Sequence, residues 1–204
     1  MRSQIVIDSS IQSRFFVITI VLLICFCSHS ISAYAQPDLY SKALQVFKNF
    51  TSMSDAERMN AAANMTSDEM DMIMTGAAQM TREVNETIAA MSPAELEKAT
   101  ILLLRSGNFS SPQNETRAQG LAKILSVNDN QFLRFENFKI TNGPDLHVYF
   151  TNDMDIKSGM DLGSLKGNIG AQNYFLGDVA NKYDTVVIAS KPFGTIFASS
   201  FLKS

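Results

Sequence analysis

Along the chain the spacing of apolar positions changes twice. Residues 15–27, FFVITIVLLICFC, form one uninterrupted apolar or small run. From residue 37 to about 105, apolar positions recur every three or four residues, the period of a helix with one buried face. Beyond about residue 120 they alternate, which is the period of a strand. The predicted class is α+β: a small helical bundle over 36–105, a polar linker over 106–117 and an antiparallel β-sandwich over 118–204.

In the helical part, Pro37 opens a first helix with Tyr40, Ala43, Phe47 and Phe50 along one stripe. Three motifs then repeat: MSDAE at 53–57, MTSDE at 65–69 and MSPAE at 91–95. Ser54/Glu57, Thr66/Glu69 and Ser92/Glu95 each fit a capping box, in which two side chains satisfy backbone N–H groups at a helix start. The methionine ahead of each box serves as a staple, Met65 on Met70 and Met91 on Leu96. The longest helix is expected over 67–91, with Met70, Ile73, Ala77, Met80, Val84 and Ile88 on its packing strip. A last helix, AELEKATILLL, should end near Arg105 and Gly107. The next segment, SGNFSSPQNETR, reads as linker.

The strands begin with LAKILSV. In FLRFENFKI, Leu133 and Phe135 share one phase while Phe138 and Ile140 share the other, so the slip at Glu136-Asn137 predicts a β-bulge. TNGPD at 141–145 is a turn. LHVYF sets Leu146, Val148 and Phe150 on one face, with His147 and Tyr149 on the other. Gly163, Gly167 and Gly170 allow tight turns without the spacing of a phosphate-binding loop. YDTVVIAS, a bend at Lys191-Pro192-Phe193-Gly194, and TIFASSFL complete six or seven strands.

The opening residues change what chemistry is available. Arg2 and Arg14, the apolar run and Ala33-Tyr34-Ala35 make a secretory signal peptide over 1–35, cleaved after Ala35. Thirteen apolar residues fall short of the roughly 20 that span a bilayer. The protein is thus expected to be secreted or at the cell surface, with an anchor from an uncleaved signal as the alternative. Cys25, Cys27 and His29 leave with the signal, so the mature chain has no cysteine and one histidine, His147. Disulfides, thiolate sites and ordinary zinc sites are thereby excluded. The formal charge of −3 becomes −4 on cleavage, with fifteen basic and nineteen acidic residues left, which argues against a nucleic-acid partner.

Five N-x-S/T sequons begin at Asn49, Asn64, Asn85, Asn108 and Asn114, and none follows, so any glycans would sit on the helical part and the linker. Eight methionines between Met53 and Met91 raise Cu(I) binding, but most occupy staple or stripe positions, and Met72 leaves the helix face shared by Met70 and Met74. Asp153, Asp155 and Asp161 lack the spacing of an EF-hand and read as an acidic solvated loop.

RFENFKITNGPDLHVYF, DLGSLKGNIGAQNYFL and YDTVVIASKPFGTIFASSFL, in that order, resemble the DM-thirteen domain, a relative of the DOMON domains. The resemblance covers roughly 120–204. It implies an extracytoplasmic β-rich domain for which electron transfer has been proposed, through a near-invariant cysteine just before the bend that acts as a thiol or as a ligand to a group such as haem. Ser190 stands in that place here. Serine has no accessible redox couple and ligates haem or copper poorly. The expectation is therefore a non-enzymatic exterior binding or scaffold protein with no cofactor and an extracellular or cell-surface protein partner. Its candidate binding residues are His147, Tyr149, Ser190, Lys191 and Phe193, with no catalytic or metal residues. The alternative is electron transfer by haem or copper without a cysteine ligand, using His147 with Met154 or Met160.

Overall fold

The computed structural model describes residues 38–91, 100–112 and 116–204. The expected signal peptide, the sequon at Asn114, and the Ser92/Glu95 box with its Met91–Leu96 staple lie outside the described residues. Two compact units divide the chain, Met1–Lys42 and Ala43–Ser204. The described residues of the first, 38–42, are helical.

In the second unit, helices α1 (residues 43–51), α2 (Asp55–Asn64) and α3 (Ser67–Ala78) come first. Of the three predicted capping boxes, the two that fall within the described residues both form. Glu57 accepts from the Ser54 N–H at 2.8 Å, Glu69 accepts from the Thr66 N–H at 2.9 Å, and each cap hydroxyl accepts from the glutamate's own N–H. Ile73, Gly76 and Ala77 are the buried face of α3. Gly76 is required there because a Cβ would lie 2.2 Å from the Ala43 carbonyl oxygen on α1. Met74 packs on the main core, as expected of a filler methionine. Among the described residues no helix is long and apolar enough to cross a membrane.

The helical expectation fails in two places. The helix predicted over 67–91 stops at Ala78, and Glu83–Asn85 becomes strand β1, pairing in parallel with β7. The run ILLL expected in a last helix lies instead in strand β2 (Ile101–Asn108), antiparallel to β3. Ser106 to Asn108, read as linker, belong to the same strand. Four consecutive apolar residues fit either period, and the available sheet edge decided between them.

The remaining strands follow the alternation: β3 (Ala118–Val127), β4 (Asn130–Ile140), β5 (Leu146–Thr151), β6 (Met160–Ser164), β7 (Ile169–Phe175), β8 (Thr185–Ser190) and β9 (Ile196–Phe201). They make a five-stranded sheet, β1-β7-β4-β3-β2, and a four-stranded sheet, β6-β5-β8-β9. The predicted bulge is present: pairing of β4 with β7 skips from Phe135 to Phe138, and Asn137 takes a φ of 49°. It turns both phases of β4 inward, so Leu133, Phe135, Phe138 and Ile140 are all buried. They meet Val148, Phe150, Val186 and Ile188 of the other sheet in one core.

Candidate functional site

Strands β5 and β8 are buried along their whole length. Their register pairs Leu146 with Ser190 and His147 with Ala189. Alternation then places Ser190 in phase with Val186 and Ile188, which line the core, and His147 and Tyr149 in the opposite phase. Of the five sequence-read binding residues, Ser190 therefore faces the core, His147 and Tyr149 the opposite face of the sheet, and Lys191 and Phe193 lie in the bend after β8.

On the core side, Ser190 is 0% exposed and its hydroxyl donates to the Pro144 carbonyl at 2.7 Å. The Ser190 N–H donates to Thr195 O, the Lys191 N–H to Asp145 O, and the Gly194 N–H back to Ser190 O. These bonds lock the 191–194 bend against the 141–145 turn. The helices cover the bend: Phe193 stacks on buried Phe50 with ring centroids 5.5 Å apart, and Lys191 Nζ lies 3.2 Å from Asp55.

On the opposite face, His147 sits between two carboxylates. Its Nδ1 is 2.9 Å from both oxygens of Asp161, while Nε2 is 3.5 Å from Asp145 and 3.3 Å from the Ser164 hydroxyl. Arg58 of α2 reaches Asp145 at 3.2 Å and also pairs with Asp55. A chain of charges thus runs Lys191, Asp55, Arg58, Asp145, His147, Asp161. The hydrogen bond to Asp145 raises the His147 pKa above the ordinary histidine value against the opposing effect of burial, and Asp161 adds to the rise. Asp161 is the closer carboxylate, but Asp145 is the less exposed, so less water screens it. Asp145 in turn is held below the usual carboxylate range, first by His147 and further by Arg58. Tyr149 lies beside the imidazole at 6.2 Å, and burial, with the two aspartates adding, pushes its hydroxyl up to about 12. It is a neutral phenol at physiological pH.

This cluster makes stability pH-dependent. His147 binds its proton more tightly when folded, so its contribution is complete below the unfolded value of 6.5 and is lost as pH rises through the higher folded value. Asp145 contributes fully above its unfolded value of 3.8 and loses that contribution as pH falls through the lower folded one. The melting temperature is expected to fall from about pH 6 to about pH 9, and His147→Gln should flatten that slope. An equal slope in the variant would assign it to other groups.

The donors do not fit a haem ligand set. Both His147 ring nitrogens already have partners, and Met154 and Met160 are surface residues, 44% and 39% exposed. The three loop aspartates have separate tasks. Asp155 accepts from the Lys157 N–H, Asp161 faces His147 and the Gly163 N–H, and Asp153 sits in a turn at φ 53°. Among the described residues no group of three or more His, Cys, Asp and Glu side chains is arranged to hold a metal. The sequon asparagines 49, 64, 85 and 108 are all exposed.

Arg58, Asp145 and Ser164 escaped the sequence reading. Arg58 follows the Ser54/Glu57 capping box with no motif of its own, and 87 positions separate it from Asp145, so no local spacing links them. The turn reading of TNGPD did place Asp145 beside β5, and alternation placed His147 on the face away from the core.

Residues 108–202 match the family model described as Electron transfer DM13. No curated protein and no solved structure matches the chain.

Proposed function

Given a DM13 domain over residues 108–202, we propose that this chain is an exported binding or scaffold protein of the cell exterior that uses the domain without thiol chemistry. The observation that carries this reading is Ser190: a wholly buried hydroxyl, bonded to a backbone carbonyl, at the strand end where the family resemblance puts a reactive cysteine. The signal-like start and the exposed sequon asparagines support export and glycosylation. Tyr149 is buried and Phe193 stacks on Phe50, so the sandwich end itself offers little contact surface, and the helices that cover it are the better docking face.

The discriminating experiment is an absorption spectrum with elemental analysis of the full chain, purified without chelators from an exporting host. A colourless protein without stoichiometric iron or copper is expected. A haem band or bound copper would overturn the reading in favour of electron transfer, the chemistry in the description of the matching family. A photo-crosslinking residue at exposed Met59 on α2 should trap a discrete exterior protein. A chain that remains a free monomer there counts against a scaffold.

Ser190 also yields a stability prediction. Ser190→Ala leaves the Pro144 carbonyl without its donor and should cost about 1–3 kcal/mol in urea denaturation. Ser190→Cys should fold and present a thiol that Ellman's reagent does not reach until the protein unfolds. Rapid labelling of the native variant would show that the bend is open.

A further inference from the structure

We propose that the groove between the end of α3 and the outer face of the five-stranded sheet binds a small hydroxylated molecule carrying one oxyanion, with a sugar phosphate as the type. This site is separate from the bend and from His147, and it does not rest on the function proposed above.

The groove encloses about 440 Å³, within the usual range of small-molecule sites. Its floor follows from the register. Gln119 pairs with Lys139, Lys139 pairs with Ile169, and Arg117 exchanges hydrogen bonds with Thr141, donating its N–H to the Thr141 hydroxyl at 3.0 Å. Phe138 and Ile140 point into the core, so Lys139 and Thr141 point out into the groove. Thr81, just past α3, lines the opposite wall.

Charge indicates the ligand class. Among the described residues no aspartate or glutamate lines the groove. Arg117 and Lys139 have no carboxylate partner among the described residues, as is also true of Arg82, Arg105, Lys182 and Lys203, but of these six only Arg117 and Lys139 line the groove. Arg117, just before β3, and Lys139 of β4 lie diagonally across the β3–β4 pair without a carboxylate partner among the described residues, and in a chain of net charge −3 they make a local oxyanion site. The guanidinium fork can take two oxygens and the ammonium a third. A bare inorganic anion would fill only part of the volume. The Thr141 hydroxyl proton, the Gln119 amide and the Thr81 hydroxyl offer hydrogen bonds to a polyol body, and Ile169 offers an apolar surface to the C–H face of a ring.

The test is a calorimetric and NMR titration of the full chain with glucose 6-phosphate, glucose and inorganic phosphate at low ionic strength. Glucose 6-phosphate should bind at low-millimolar concentration or better and shift the amides of Arg117, Gln119 and Lys139, while glucose should not bind. Arg117→Gln and Lys139→Gln should each weaken binding by about tenfold or more, the size expected for a hydrogen bond to a charged group. Lys157→Gln, the same charge change on an exposed loop outside the groove, should leave it unaltered. Equal weakening by all three variants would overturn the site, because net charge alone would then explain binding. Inorganic phosphate binding as tightly as the sugar phosphate would overturn the polyol assignment, and no binding by any probe would overturn the whole proposal.

Discussion

Phe135→Ala is expected to lower the unfolding free energy by about 3–5 kcal/mol, the usual cost of removing a large buried aromatic side chain. Phe135 is 0% exposed and lies at the centre of the core's aromatic cluster. Its ring sits 4.9 Å from Phe109, 4.9 Å from Phe138 and 5.3 Å from Tyr174. Truncation loses the burial itself, the edge contacts of the ring pairs and the packing around the resulting void. Phe138 and Tyr174 are held in the β4–β7 ladder, opposite Gly170 and Leu133, so the cavity has little means of collapse. If the cysteine-bearing signal is removed as expected, no disulfide offsets the loss. Urea denaturation followed by far-UV circular dichroism reads the change. Phe201→Ala, at a position 54% exposed, should stay within about 0.5 kcal/mol. Comparable losses at the two sites would mean that the core is not where the structure puts it.

Gly170→Ala should be the second most damaging change, at about 2 kcal/mol or more. Its φ of +107° is a conformation that a side chain disfavours, with a penalty of about 1–2 kcal/mol for comparable left-handed backbone. A Cβ there would also stand 2.0 Å from the Val84 carbonyl oxygen, a backbone atom of β1 that cannot move without breaking the β1–β7 pairing. The clearest readout is hydrogen exchange at Glu86, whose N–H donates to Ala171 O at 2.8 Å and should lose protection as β1 detaches. Gly163→Ala separates the two causes. Gly163 has a similar φ of +98° but nothing within 4 Å of a new Cβ. It should therefore show the conformational penalty alone and leave Glu86 protected. Equal effects at both glycines would mean that the close approach of β1 contributes nothing.

β1 also marks where sequence reading stops. Val84 and Ile88 continued the apolar spacing of α3, and nothing within a few residues opposes a helix there. What opposes it is a parallel partner more than eighty positions away, made accessible by Gly170. Ile101 to Leu104 were ambiguous for a related reason, since an unbroken apolar run fits a helix or a strand until a neighbour offers hydrogen bonds. The capping boxes at Ser54 and Thr66, the bulge at Asn137 and the alternation of β3 to β9 were legible because each depends on residues a few positions apart.

The candidate site divides along the same line. Sequence by itself determined that Ser190 precedes the bend, that it brings a hydroxyl and no thiol, and that His147 has the opposite phase to the core residues of β5. Those are consequences of residue identity and strand period. Only the tertiary structure decided that the Ser190 hydroxyl meets the Pro144 carbonyl, that Asp145 and Asp161 flank His147, and that Phe50, Asp55 and Arg58 close over the bend. Such contacts form between surfaces already built by local rules. Their partners are chosen by packing and charge in three dimensions, and their separation along the chain carries no periodic signal.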